Sequence, residues 1–122
     1  MVTPVCMHDL LRAGAERYGS ATHLVDAFSN ARRTLSFTDV LELSGRGAAF
    51  LAARVQGAPA PHVGILAENS SLWSIAFYSA AAAGATVIPL DIRQTEEEIV
   101  AIIREASVAV LLVSAGFARF AE

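Results

Sequence analysis

From Gly84 to Ser114 the chain reads GATVIPLDIRQTEEEIVAIIREASVAVLLVS. An apolar run closes on Pro89-Leu90-Asp91, a helical pattern follows, and a second apolar run ends the stretch. This is the outline of a βαβ unit, and no other feature restricts the fold as much. Two strands joined through a helix lie parallel in one sheet, with a right-handed crossover in nearly all cases. Thr95 followed by Glu96, Glu97 and Glu98 is a capping box whose acids suit the positive end of a helix. Ile99, Ile102, Ile103 and Ala106 recur at helical spacing and form its inward stripe. Val108–Val113 is apolar without a break, the pattern of a parallel strand covered on both faces.

A similar unit lies upstream. His62–Ala67 reads as a short buried strand, and Asn69 or Ser70 as the cap of the next helix. That helix runs from Leu72 to Gly84, a natural residue just past a helix end. It is apolar nearly all round, so burial on more than one side is expected. Trp73 on this helix reads as a core residue first and an interface residue second. Before the Gly/Pro loop Gln56–Pro61, Ser36 opens a Ser-x-x-Asp cap. Phe37, Val40, Leu41, Ser44, Ala48, Leu51, Ala52 and Val55 then share one helical face. His23–Phe28 and Arg33–Phe37 read as the two strands of a hairpin, with a turn over Ser29–Arg32. Thr3-Pro4 reads as the start of a first helix through Leu10, Leu11, Ala15 and Tyr18, closed by Gly19. The expected fold is a single α/β domain over residues 1–122. It is a three-layer sandwich around a mostly parallel βαβαβ sheet, with an N-terminal helix and a β-hairpin.

Composition narrows what such a domain can do. The chain is 54% hydrophobic and 17% charged, more apolar than an ordinary soluble domain. Such a chain is either very well buried or lacks something that should cover part of it. Its net charge is −3, all nine basic residues are Arg, and only Arg32 and Arg33 are adjacent. Without a basic stripe, nucleic-acid binding is not expected. A single cysteine, Cys6, excludes an internal disulfide and a Cys-cluster zinc site. The N-terminal residues lack a basic segment before an apolar one, so no signal peptide is read there. The apolar stretch Ile75–Leu90 is too short and too interrupted to span a bilayer. A cytoplasmic location is the default expectation.

The motifs of nucleotide chemistry are missing from these turns. A phosphate-binding βαβ unit places glycines where the first strand meets its helix. Here that turn is Ala67-Glu68-Asn69-Ser70-Ser71, and Glu68 would repel a phosphate. The second turn, Leu90 to Thr95, has no Gly either. Gly45 and Gly47 form a Gly-x-Gly, but inside a helical pattern, where close helix packing is the expected meaning. A phosphate-binding P-loop requires a Lys, and the chain has none. His8, His23 and His62 show no metal-ligand spacing and read as surface or capping residues. Ser70, Ser71 and Ser79 read as caps or packing residues, with no nucleophile-elbow motif around them. Cys6 reads as inert and Glu96–Glu98 as a helix cap. Asp91 ends a strand, where α/β sheets place functional groups, but a turn-stabilising role is the plainer reading. No residue is assigned as catalytic, cofactor-binding or metal-binding.

The order of these segments resembles the adenylate-forming superfamily: acyl-CoA synthetases, peptide-synthetase adenylation domains and luciferases. Leu35, Ser36, Phe37, Asp39 and Val40 are similar to that family's Leu-Thr/Ser-Tyr/Phe-x-Glu/Asp-Leu start of a helix. Val63–Ala67, Asn69, Trp73, Ala83-Gly84-Ala85 and Pro89-Leu90-Asp91 follow the family's next block in order. Gln94 to Ser114 resembles the following helix and strand, and the resemblance spans about Leu10 to Ser114. Ala80–Ala83 and Glu68 depart from the family's usual bulkier residues, Lys and Pro. The resemblance implies an N-terminal scaffold fragment of an AMP-forming acyl-CoA synthetase-like ligase. The family's phosphate loop, its Mg²⁺-holding acids and its catalytic Lys belong to later segments. ATP, Mg²⁺ and CoA are therefore implied only for a full-length member, and this chain is expected to be inactive alone. The expected partner is the remainder of the synthetase or a complementary protein, with a homodimer through exposed apolar faces. The alternative of another class is a standalone, non-catalytic partner-binding module derived from that fold.

Overall fold

The computed structural model of the chain describes residues 6–27 and 32–121. The expected cap at Thr3-Pro4, the strand end at Phe28 and most of the hairpin turn lie outside these residues. Helix α1 (Met7–Tyr18) starts after Cys6, whose backbone N–H donates to the Asp9 carboxylate at 3.2 Å. Strands β1 (Thr22–Asp26) and β2 (Arg33–Ser36) pair antiparallel as a separate two-stranded sheet, with Asp26 opposite Arg33.

Helix α2 (Phe37–Arg54) leaves β2 through the expected cap. The Ser36 hydroxyl accepts the Asp39 N–H at 3.0 Å, and the Asp39 carboxylate accepts the Ser36 N–H at 2.9 Å. Val40, Ser44, Leu51 and Val55 are buried along one face. Ala52, expected on that face, is exposed. It stands a further 100° round the helix from Leu51, beyond the seam that the neighbouring elements cover.

Strands β3 (His62–Leu66), β4 (Thr86–Pro89) and β5 (Val108–Val113) form a parallel sheet in the order β4-β3-β5. Successive side chains of a strand point to opposite faces, and two clusters follow from that alternation. On one face Val63 packs with Leu51 of α2 and with Ala80 of α3 (Ser71–Ala82). Val87, Val110 and Leu112 complete that side. On the other face Leu66 packs with Leu90 and with Ile99 of α4 (Glu96–Glu105). Phe117 and Phe120, from a terminal 3₁₀ segment (Ala115–Ala121), join them. Helices lie on both sides of a parallel sheet, which is the expected three-layer α/β arrangement.

Helix α3 begins at Ser70 rather than Asn69, for the Ser70 hydroxyl accepts the Trp73 N–H at 3.2 Å. It packs against α1, α2, β1, β3 and β4, which accounts for apolar residues on every side of it. Its closest approach is to α2 at Gly47, where a Cβ would lie 2.7 Å from the Ser79 Cβ and closer still to its Oγ. At the far end Gly84 takes φ +77°, and the Ala85 N–H turns back to the Ala80 carbonyl at 3.0 Å. Glycine meets that left-handed turn without steric cost, so the chain can enter β4 at once.

A second expectation also fails. Strand β5 is not covered on both faces: Ala109 is exposed and the other five residues are only half-buried. The cause is position in the sheet. Among the described residues β5 pairs only with β3, so its apolar run exceeds the cover available to an edge strand.

Candidate functional site

In open parallel sheets, ligands sit in the crevice beyond the carboxyl ends of the strands. Here the turns after β3 and β4 enclose an open cavity of about 540 Å³, lined by Asn69, Trp73, Leu90, Asp91 and Arg93 among others. Trp73 is half-buried and stacks on Phe77 one helical turn later, with ring centroids 5.9 Å apart and planes 11° apart. It is therefore the aromatic wall of the crevice rather than a core residue. Ser70 fixes the start of α3, and so the depth at which Trp73 stands.

The charge in the crevice is tied up locally. The Arg93 backbone N–H donates to the Asp91 carboxylate at 2.9 Å, closing an Asx turn. The Arg93 guanidinium then grips the same carboxylate with two bonds, at 3.0 and 2.7 Å. The Arg93 side chain, then its backbone N–H, hold the Asp91 carboxyl down at about 2. Nearby, the Glu68 carboxyl is held below its ordinary range, first by the Ser114 hydroxyl and then by its own backbone amide. Both acids are ionised at neutral pH, and the cation facing the cavity is already paired. The crevice can present an aromatic wall and an amide side chain, but a polyphosphate would meet the Asp91 carboxylate.

The other candidates are scattered. His8, His23 and His62 sit on α1, β1 and β3. His62 Nδ1 donates to the Ala106 carbonyl at 2.5 Å and so caps the end of α4. His23 stacks on Phe37 at 4.2 Å. Cys6 is exposed, and its thiol donates to the Asp9 carboxylate at 3.2 Å. The Thr95 N–H donates to the Glu98 carboxylate at 2.8 Å, as a capping box requires, while Glu96 pairs with Arg119 at 3.5 Å. Among the described residues no group of His, Cys, Asp and Glu is arranged to hold a metal ion. No helix among them is long and apolar enough to cross a membrane.

One polar contact went unread in the sequence. The Asp26 carboxylate, at the end of β1, accepts the Ser71 backbone N–H at 2.6 Å and the Ser71 hydroxyl as well. It thus fills the positive end of α3 from 45 residues away. The Ser71 hydroxyl and then its N–H hold the Asp26 carboxyl below the usual range, with Arg33 adding to the effect. A second open cavity, of about 690 Å³, lies over this contact between the hairpin and α3. No local spacing relates Asp26 to Ser71, so only the fold brings them together.

Comparison with known proteins agrees on one family. Residues 11–121 match the family described as AMP-binding enzyme. No curated protein sequence matches the chain. Among solved structures it is similar to the inhibitor-bound N-terminal domain of FACL13 from Mycobacterium tuberculosis, at 25% identity and TM-score 0.80. That match covers 90% of this chain and 27% of the other. A fatty acyl CoA synthetase from Mycobacterium tuberculosis is also 25% identical, with TM-score 0.79 over 90% of this chain and 21% of its own. The nonribosomal peptide synthetase FmoA3, at 23% identity, shares the fold with TM-score 0.81, over 94% of this chain and 12% of its own. The chain thus spans between 12% and 27% of the length of these three structures.

Proposed function

This chain belongs to the AMP-binding enzyme family, and on that premise we propose that it is the N-terminal scaffold section of an AMP-forming, acyl-CoA synthetase-like ligase. The reaction class joins a carboxylic acid to ATP with release of pyrophosphate, and a thiol then displaces AMP from the acyl-adenylate to give a thioester. The observation that carries the reading is the crevice at the carboxyl ends of β3 and β4. Its Arg93 is held in a two-bond fork by Asp91, which leaves no unpaired cation among the lining residues. Phosphoryl and adenylyl transfer need preorganised donors and cations where negative charge develops. The residues here do not fit ATP or Mg²⁺. On this reading ATP, Mg²⁺ and CoA are held by the remainder of the ligase, and the present residues fix the sheet against which that remainder is built. The Mycobacterium tuberculosis fatty acyl CoA synthetase, at 25% identity, supports the acyl-CoA synthetase reading.

ATP–pyrophosphate exchange by the purified 122-residue chain tests the reading. No exchange is expected with aliphatic, aromatic or amino acids. Robust exchange with any of them overturns the scaffold role.

A further inference from the structure

Helices α1, α2 and α4 carry their own anchors. Asp9, Asp39 and Glu98 each stand at the third helical position and turn back to the cap residue. A carboxylate there satisfies an N–H that the helix itself cannot, and it meets the positive end of the helix dipole. Helix α3 has no acid in its first turn. After the Ser70 cap its third position is Trp73, the aromatic wall of the crevice. The position that would hold the helix is occupied by the side chain that lines the cavity.

The missing charge comes from the hairpin. The Asp26 carboxylate accepts the Ser71 N–H at 2.6 Å and the Ser71 hydroxyl, so it satisfies a free donor at the start of α3. Strand β1 reaches that point beside α3, with the His23 ring 6.3 Å from Tyr78 further along the helix. The base of the hairpin is fixed in turn. The Phe37 and Thr38 N–H groups donate to the Ala21 and Gly19 carbonyls, both at 3.1 Å, and His23 stacks on Phe37. Asp26 is therefore held at a set height by elements other than α3. The first turn of α3 also borders both cavities. Asn69 lines the two of them, Ser71 and Leu72 line the one under the hairpin, and Trp73 lines the crevice.

We propose that Asp26 is the positioning residue of the crevice wall, a carboxylate supplied by the hairpin in place of the capping acid that Trp73 displaces. Through Ser71 it sets where α3 starts, and through the Ser70 hydroxyl on the Trp73 N–H it sets where the indole stands. A shift of the hairpin against α3 is then transmitted to the crevice. Without Asp26, the Ser71 N–H and hydroxyl lose their acceptor, and a first turn that lacks partners frays. The inference goes beyond the scaffold reading and does not depend on it: pyrophosphate exchange decides that reading and is silent on this contact.

Trp73 is the only tryptophan of the chain, so its fluorescence reports on this wall alone. Asp26→Ala should shift the emission to longer wavelength and increase its quenching by acrylamide, with the circular dichroism of the folded chain unchanged. Native-state exchange of the Trp73 and Ser74 amides, which bond to the Ser70 hydroxyl and carbonyl, should quicken about fivefold, the factor that loss of one helix cap carries. Ser71→Ala removes the hydroxyl bond and keeps the N–H bond. It should move both readouts the same way by less, and it carries the test if Asp26→Ala does not fold. Trp73→Glu rebuilds a capping box, and in that background Asp26→Ala should leave Ser74 exchange unchanged. Asp9→Asn weakens the cap of α1 and should leave the Trp73 emission where it is. A lower melting temperature for Asp26→Ala with unmoved Trp73 emission and exchange overturns the proposal. So does an equal emission shift in Asp9→Asn, or a dependence on Asp26 that Trp73→Glu fails to relieve.

Discussion

Gly47 offers a sharp test of how α2 and α3 are held together. A Cβ built there would sit 2.7 Å from the Ser79 Cβ and nearer still to its Oγ, so something must move. Ser79 has little freedom to yield. It is 3% exposed, and its hydroxyl already donates to the Ile75 carbonyl at 2.7 Å. Gly47→Ala adds one methyl group to this contact, and such overpacking costs about 1–3 kcal/mol. The same change removes a glycine from a helix interior, worth about 1 kcal/mol in the opposite direction. The net expectation is a loss of about 1 kcal/mol, or a melting temperature lower by about 4 °C. Gly45, two residues earlier on α2, has nothing within 4 Å of a built Cβ. Gly45→Ala therefore keeps only the helix term and should gain up to about 1 kcal/mol. Urea and thermal unfolding of both variants, at one protein concentration, should separate them by about 2 kcal/mol. Adding Ser79→Gly to Gly47→Ala removes both contacted atoms, and a double-mutant cycle should return a coupling of about 1 kcal/mol. If Gly47→Ala proves as stable as Gly45→Ala, close helix packing is not what Gly47 provides.

Two further outcomes follow from the polar contacts. Asp9, Asp26, Asp39, Asp91 and Glu68 all have folded-state pKa values below their ordinary ones. Their contribution to stability is thus fully present above the unfolded values near 4 and is lost as pH falls through the folded ones, with Asp91 last at about 2. Asp26→Asn should lower the melting temperature at pH 7 and make the curve between pH 5 and about 2.5 shallower; an unchanged pH profile would mean that the contact with Ser71 carries no linkage. Thr95→Ala removes the hydroxyl that accepts the Glu98 N–H at 3.3 Å and should cost about 1 kcal/mol in thermal unfolding, with no loss refuting the cap.

What could be read in the sequence was what is local. Ser36 with Asp39, and Thr95 with Glu98, lie three residues apart, so their caps are visible as spacing. Gly84 marks the end of α3 because the left-handed turn it takes is a property of one residue. Asp26 with Ser71 and His62 with Ala106 span 45 and 44 residues, and no periodicity connects them. Strand β5 departs from its pattern for a related reason. Six apolar residues in a row report what the strand prefers, whereas its cover depends on which strand stands beside it. The crevice was legible only as a location, the carboxyl end at Asp91. That Arg93 folds back onto Asp91 depends on side-chain directions that the turn sets.

The order β4-β3-β5 also has a history in time. A ribosome delivers β3 before either of its neighbours, so the middle of the sheet emerges first and the edges are laid down outward from it. By then α2 is complete, and Leu51 can shelter Val63 as α3 follows. Leu66, on the opposite face, meets only Leu90 before Ile99 and then Phe117 and Phe120 arrive, some 30 to 55 residues later. Through that interval the nascent chain carries a half-covered strand, and this is the stage of synthesis at which a chaperone would find it.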